Sequence, residues 1–293
     1  MIKNVYVFGT IINISCEENE EAKKEILKLL YNLDDLCSYF KPESDVSKIN
    51  NNSGNSVEIH PMVFDIIKKS IHYSEITDGD MDITCRPLLD AKKEKNISDF
   101  NFFLSLVNYK YIIIKEHNQI KLEKEGMKID LGSIVKGYAT DLIVDILNKY
   151  NIQNAIIDLG GNIYVKGLHD NENWKVGIQD PIKMKKPVGY LELSNKSVVT
   201  SGTAERGNHI VNPHTGKVVD NNIKSVSIVA DKSIDAEGLS TALFVKGKDG
   251  VNLINKMPGI DCIYIDDKRK IYLSDNLKDK FVLLNKRFKI ISS

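Results

Sequence analysis

The chain lacks an excess of either charge: 40 Lys and Arg balance 40 Asp and Glu. A protein whose main partner is nucleic acid carries a basic surplus for the phosphate backbone, so that partner class is excluded. Cysteine is scarce. Cys16, Cys37, Cys85 and Cys262 lie far apart with no C-x-x-C pair, which leaves neither a zinc ligand set nor a disulfide framework, and buried reduced thiols are expected. No apolar run reaches the length of a transmembrane helix. There is no Pro- or Ser-rich linker and no internal repeat, so one interleaved domain over residues 1–293 is expected.

The N-terminus has two readings. Lys3, an apolar stretch to Ile14 and then Ser15-Cys16 have the outline of a lipoprotein leader. Against that, Val5, Val7, Ile12 and Ile14 follow strand-like spacing, and Asn13 stands where a leader needs a leucine-like residue. A core β-strand from Val5 to Ser15 is the better reading. The cytoplasm is then the expected compartment, with an exported or anchored form that has lost its leader as the alternative.

Apolar residues at helical spacing (Ile26, Leu29, Leu30, Leu33, Leu36) predict a first helix, and a second spans about Met62 to Thr77. A loop carrying Arg86-Pro87 follows, then a short helix within residues 92–108 and a hairpin of 109–115 with 119–123. Strands fit 155–158, 162–166, 174–178, 189–193, 197–200, 225–229, 261–265 and 271–273, with a helix at about Ala236 to Val245. Trp174 reads as core and His214 as a solvent-facing turn residue. Strands in runs, joined by hairpin-like connections, predict an α+β fold of mainly antiparallel sheet with packed helices rather than a doubly wound one.

The most informative segment is Ile129-Asp-Leu-Gly-Ser-Ile-Val-Lys-Gly-Tyr-Ala-Thr-Asp141. It reads as a strand end (Met127, Ile129, Leu131), a tight Gly132-Ser133 turn and a helix from about Lys136 to Leu147. The unpaired N–H groups and dipole at such a corner favour phosphate, with Lys136 adding a cation. Gly137 would let a ligand approach closely. Alone, the segment reads better as an ordinary strand–turn–helix corner.

Further segments accompany it. Phe40 precedes a rigid turn at Lys41-Pro42-Glu43-Ser44. Asp78-Gly79-Asp80-Met81-Asp82 forms a polar loop, and Leu159-Gly160-Gly161-Asn162 a glycine turn. Ser201-Gly202-Thr203 and His209-Ile-Val-Asn-Pro-His-Thr-Gly216 follow. In Ala236-Glu-Gly-Leu-Ser-Thr241-Ala-Leu-Phe-Val245, Glu237 and Thr241 share one helix face.

This ordered set resembles the ApbE family of FAD:protein FMN transferases, and the resemblance runs from about Val5 to Val245. It implies an ApbE/T-fold-like domain that binds FAD with Mg²⁺ at the pyrophosphate. FMN moves to a threonine or serine hydroxyl of a target protein, generally a redox subunit or reductase, and AMP leaves. Relatives without a target hydrolyse FAD to FMN and AMP. By position, the resemblance makes Phe40 the aromatic that stacks on the isoalloxazine, and puts Lys136, Tyr138 and Asp141 in the FAD-binding turn and helix. Gly160, Gly161, Asn162, Ser201 and Gly202 line the pocket, and His209 is the general base. Glu237 and Thr241 are side-chain metal ligands, completed by a main-chain carbonyl near Ser133 to Val135.

The residues suit those roles. Mg²⁺ prefers carboxylate and hydroxyl oxygens, and a hydroxyl nucleophile needs a base near neutrality, which is histidine's range. Four positions depart from the family pattern: Glu237 for aspartate, Asn212 for aspartate, Phe8 for methionine, and Arg86 for glycine. Alternatives stay open: Glu237 as a plain helix N-terminal carboxylate, Phe40 as an apolar plug under its loop, His209 as an ordinary loop histidine, and the chain as a whole as a Mg²⁺-dependent FAD pyrophosphatase or a non-catalytic FAD-binding protein.

Overall fold

A computed structural model of the protein describes residues 1–93, 100–183, 186–203 and 210–291. They group into two units, each assembled from separate stretches of chain. One comprises residues 1–28, 136–210 and 220–293, the other 29–135 and 211–219.

The first unit is built on a nine-stranded sheet whose strands follow one another in chain order. They are Ile2–Val7, Thr10–Cys16, Ala155–Asp158, Asn162–Lys166, Lys196–Gly202, Ile223–Ala230, Asp261–Asp266, Lys270–Leu273 and Lys289–Ile291. Neighbours are antiparallel except the last pair, which is parallel. The α+β expectation holds. Alternation along the strands assigns the two faces. Val165, Val198, Val229, Ile263 and Ile265 join a core with the small sheet of Trp174–Gln179, Pro187–Leu193 and Val282–Leu283. Ser197, one residue out of phase with Val198, instead bonds Ser233 at the start of the helix Ser233–Lys246. Trp174 is partly buried against the core, and its indole N–H donates to the Lys166 carbonyl at 3.1 Å.

The expected single strand from Val5 to Ser15 is corrected to a hairpin. Val7 pairs with Thr10 across Phe8 and Gly9, whose φ angles of 53° and 71° put both in the left-handed region that a two-residue turn needs to match the right-handed twist of its strands.

The second unit holds a three-stranded antiparallel sheet, Ser56–Glu58, Gln119–Leu122 and Ile112–Lys115, with Gln119–Leu122 in the middle. Its helices include Asp45–Asn51, Pro61–Ile76, Arg86–Lys93 and Phe100–Ser105. Ser44 caps the first of these by accepting from the Ser47 amide. The expected loop at Arg86-Pro87 is in fact the start of a helix, because proline suits a first turn whose N–H groups need no intrahelical partner.

The strand expected at Met127 to Leu131 is also corrected. Met127, Ile129 and Leu131 are fully buried as alternation requires. Ile129 finds its backbone partners on a side chain, however. The Asn50 amide accepts from the Ile129 N–H at 2.7 Å and donates to its carbonyl at 2.9 Å, so no sheet ladder forms there.

Candidate active site

The first turn of an α-helix leaves N–H groups without intrahelical acceptors and a partial positive charge. In the helix Val135–Lys149 that demand is met by Glu237. One carboxylate oxygen, Oε2, accepts the Gly137 N–H; the other, Oε1, pairs with Lys136 Nζ. Glu237 is 4% exposed, so the contact is shielded from water. The corner expected to receive phosphate therefore already holds a carboxylate at its Gly137 donor. The expectation for Gly137 is corrected too. A Cβ there would lie 2.7 Å from the Ser233 carbonyl oxygen and 2.8 Å from Ile234 Cα. The missing side chain admits the helix Ser233–Lys246, not a ligand.

The two helices are joined again at Asp141. Its Oδ1 accepts from the Ser233 N–H at 2.7 Å and its Oδ2 from the Ile234 N–H at 3.1 Å. Lys232, at the cap position, makes no side-chain cap bond, so Asp141 supplies the cap from outside. Burial pushes the Asp141 carboxyl up to about 6, against the pull of those two N–H groups.

Asn162 is buried, and its Oδ1 accepts from Thr140 Oγ1 at 3.1 Å and Ser233 Oγ at 2.7 Å. Its amide nitrogen is buried without a partner among the described residues. Gly160 and Gly161 form the turn before it, with φ of 67° and 86°. A Cβ on Gly160 would run into Thr10 at 2.3 Å. Tyr138 and Lys136 are half-buried on the first helix.

On the second helix, Ser201 Oγ lies 2.9 Å from Ser240 Oγ and 3.3 Å from Thr241 Oγ1. Gly202 ends its strand where a Cβ would meet the Lys224 carbonyl oxygen at 2.5 Å. The first unit thus gathers Lys136, Glu237, Ser201 and Thr241 around the facing parts of two helices and a strand end. Among the described residues, no cluster of three or more His, Cys, Asp or Glu side chains could hold a metal. The oxygen donors of Glu237 and Thr241, with Ser201 beside Thr241, still fit a hard cation that takes most of its ligands from water and phosphate. Lys136 would then leave the carboxylate. His209, the expected base, lies outside the described residues.

In the second unit Phe40 is 74% exposed, so it is no plug under its loop. Its ring stands edge-on to Tyr39, 5.4 Å between centroids. Ser133 is half-buried in the turn before Val135. Asn212 Oδ1 accepts from the His214 and Thr215 N–H groups at 2.9 and 3.1 Å. An asparagine oxygen closes this turn as an aspartate would, so that departure leaves the turn intact. His214 Nε2 sits 3.3 Å from Asp80 Oδ1. Beside it, Asp78, Asp82, Asn108, Tyr109 and His214 line a pocket of about 320 Å³. Asp82 accepts from Thr84 and from the Tyr109 N–H, and burial pushes its carboxyl up.

Sequence reasoning missed Ser233, Ser240 and Thr140, and named Arg86 only as a departure from the family's glycine. The partners of the first three are 36 and 71, 39, and 22 residues away, beyond any local periodicity.

The chain is 28% identical over 305 residues to a FAD:protein FMN transferase from Klebsiella pneumoniae, covering 97% of this chain and 95% of that one. It is 32% identical over 235 residues to the protein of that name from Buchnera aphidicola, covering 72% and 69%. Its fold superposes on an ApbE protein from Thermotoga maritima with a TM-score of 0.84 at 27% identity, covering 94% of this chain and 97% of that one. The flavin transferase ApbE from Vibrio cholerae shares the fold, with a TM-score of 0.85 at 23% identity and the same coverage. The model of the ApbE family matches residues 8–264, and the chain belongs to that family.

Proposed function

We propose that this protein transfers FMN from FAD to a threonine or serine hydroxyl of a target protein and releases AMP. The observation that carries this is the family match over residues 8–264, which takes in every motif from Phe8-Gly9-Thr10 to Leu239-Ser-Thr-Ala-Leu-Phe-Val245. Both units, 1–293, act as one catalytic domain in this reading.

The residues divide the work. Phe40 offers an exposed ring face to the isoalloxazine, a contact that orients as well as binds. Ser201 and Gly202, with the Gly160-Gly161-Asn162 turn, shape the flavin side. Tyr138 and Asp141 belong to the helix that frames the pyrophosphate. Glu237 and Thr241, with a main-chain carbonyl near Ser133 to Val135, would hold Mg²⁺, which supplies charge neutralisation at the pyrophosphate. Lys136, once off Glu237, brings its ammonium to a phosphate oxygen. His209 takes the proton of the acceptor hydroxyl as that oxygen bonds to the FMN phosphorus and the bond to AMP breaks. Little covalent chemistry is asked of the protein; positioning and charge do the rest.

The acceptor is proposed to be a redox subunit. No described helix is long and apolar enough to cross a membrane, and the cytoplasm is the proposed compartment. The reading is tested by incubating the protein with FAD, Mg²⁺ and a candidate acceptor. Transfer gives a covalent FMN mass shift with AMP. AMP without the mass shift would identify the hydrolytic alternative.

A further inference from the structure

Arg86 is a charged residue that the second unit buries to 6% exposure. A buried guanidinium persists only when its donors and its face are satisfied. Here Nε donates to Asp90 Oδ1 at 2.8 Å and Nη1 to Asp130 Oδ2 at 2.9 Å. The guanidinium's central carbon, Cζ, lies over the Tyr39 ring, 3.7 Å from the ring centre, and 5.3 Å from that of Phe40. Each of these partners is itself held. Asp90 Oδ2 accepts from Tyr39 Oη at 2.6 Å and Lys128 Nζ at 3.1 Å. Asp130 Oδ1 accepts from the Gly132 N–H at 2.9 Å.

One side chain thus ties three pieces of chain together: the Tyr39-Phe40 pair, the helix Arg86–Lys93, and the turn at Asp130-Leu131-Gly132. Phe40 projects into water from the first of these. A freely rotating exposed phenyl ring would be a poor stacking surface, because ordering it on binding costs side-chain entropy. Tyr39, packed on the guanidinium and edge-on to Phe40, limits that freedom. Lysine could pair with the two carboxylates but offers no planar face to Tyr39.

We propose that Arg86 is a positioning residue for the flavin, fixing Phe40 as a rigid stacking platform through Tyr39. The inference rests on the reading of Phe40 as the isoalloxazine partner.

The test compares affinities for FAD and for ADP, which carries adenosine and a pyrophosphate but no flavin, by titration calorimetry without an acceptor protein. Phe40→Ala and Arg86→Lys should each weaken FAD about tenfold and leave ADP within about twofold. Because both act on one contact, the double variant should bind FAD no more weakly than the worse single one. Tyr39→Leu leaves both Arg86 ion pairs in place and should give the same FAD-only loss, which keeps the test valid if Arg86→Lys fails to fold. Three results would overturn the proposal: wild-type FAD affinity in Arg86→Lys, equal losses of FAD and ADP, or losses that multiply in the double variant. An unchanged FAD affinity in Phe40→Ala would remove the flavin role of Phe40 and this inference with it. It would leave the transfer activity to be decided by the mass-shift assay.

Discussion

Glu237 closes the N-terminus of a helix 100 residues away in sequence by accepting the Gly137 N–H, while Lys136 next to that glycine pairs with its other oxygen. One carboxylate therefore serves the fold and stands where the family's metal ligand is expected. Removing it should harm both. Glu237→Ala would strand a half-buried ammonium and a buried N–H, a loss of about 3–5 kcal/mol for breaking a buried pair. Thermal unfolding measures that, and the mass-shift assay should show no transfer. Glu237→Asp should keep or raise transfer, because it restores the family's usual ligand. Full transfer by Glu237→Ala would place the metal elsewhere.

Gly137 gives a second, purely steric prediction. A methyl group there meets backbone atoms of the facing helix at 2.7 and 2.8 Å, which cannot rotate away as a side chain would. Gly137→Ala should cost about 1–3 kcal/mol, read from denaturant midpoints. An unchanged midpoint would mean that the two helices separate without cost.

Asp141 predicts a pH dependence. Its carboxyl is raised from 3.8 to about 6 by burial, with Asp235 adding to the rise and Lys232 opposing it. Between those values the folded state holds the proton and the unfolded chain does not. The stabilisation is therefore full below about pH 4 and is lost as pH rises through 6, on the order of 2–3 kcal/mol. The stability difference between wild type and Asp141→Asn should shift by that amount between pH 4 and 7 in urea unfolding. A difference that ignores pH would show that the two N–H contacts outweigh burial.

His209 is tested by rate. As the base for the acceptor hydroxyl, its replacement in His209→Asn should slow FMN transfer by about 10²- to 10⁴-fold. FAD affinity should barely change. Transfer by the wild type should fall on acidification through histidine's range, because only the neutral ring accepts a proton. A variant with wild-type rate and pH profile would remove His209 from the chemistry.

The sheet was the legible part of this chain. Ala155–Asp158 and Asn162–Lys166 announce themselves by alternation around a Gly-Gly turn. Where alternation misled, a local device intervened: left-handed Phe8 broke one strand into two, and the Asn50 side chain took the place of a partner strand at Ile129. The family motifs named the candidate site residues without saying what those residues touch. Glu237 on Gly137, Asp141 on Ser233 and Arg86 on Asp130 span 100, 92 and 44 residues. Such pairings come from tertiary packing, and no periodicity carries them.

The central claim is FMN transfer, and mass spectrometry of a candidate acceptor incubated with this protein, FAD and Mg²⁺ tests it most directly. The predicted result is one FMN per acceptor, mapped to a threonine or serine, with an equal amount of AMP, and neither product after EDTA although the fold persists by circular dichroism. AMP released with no FMN on any acceptor, or FMN bound equally well without this protein, would contradict it.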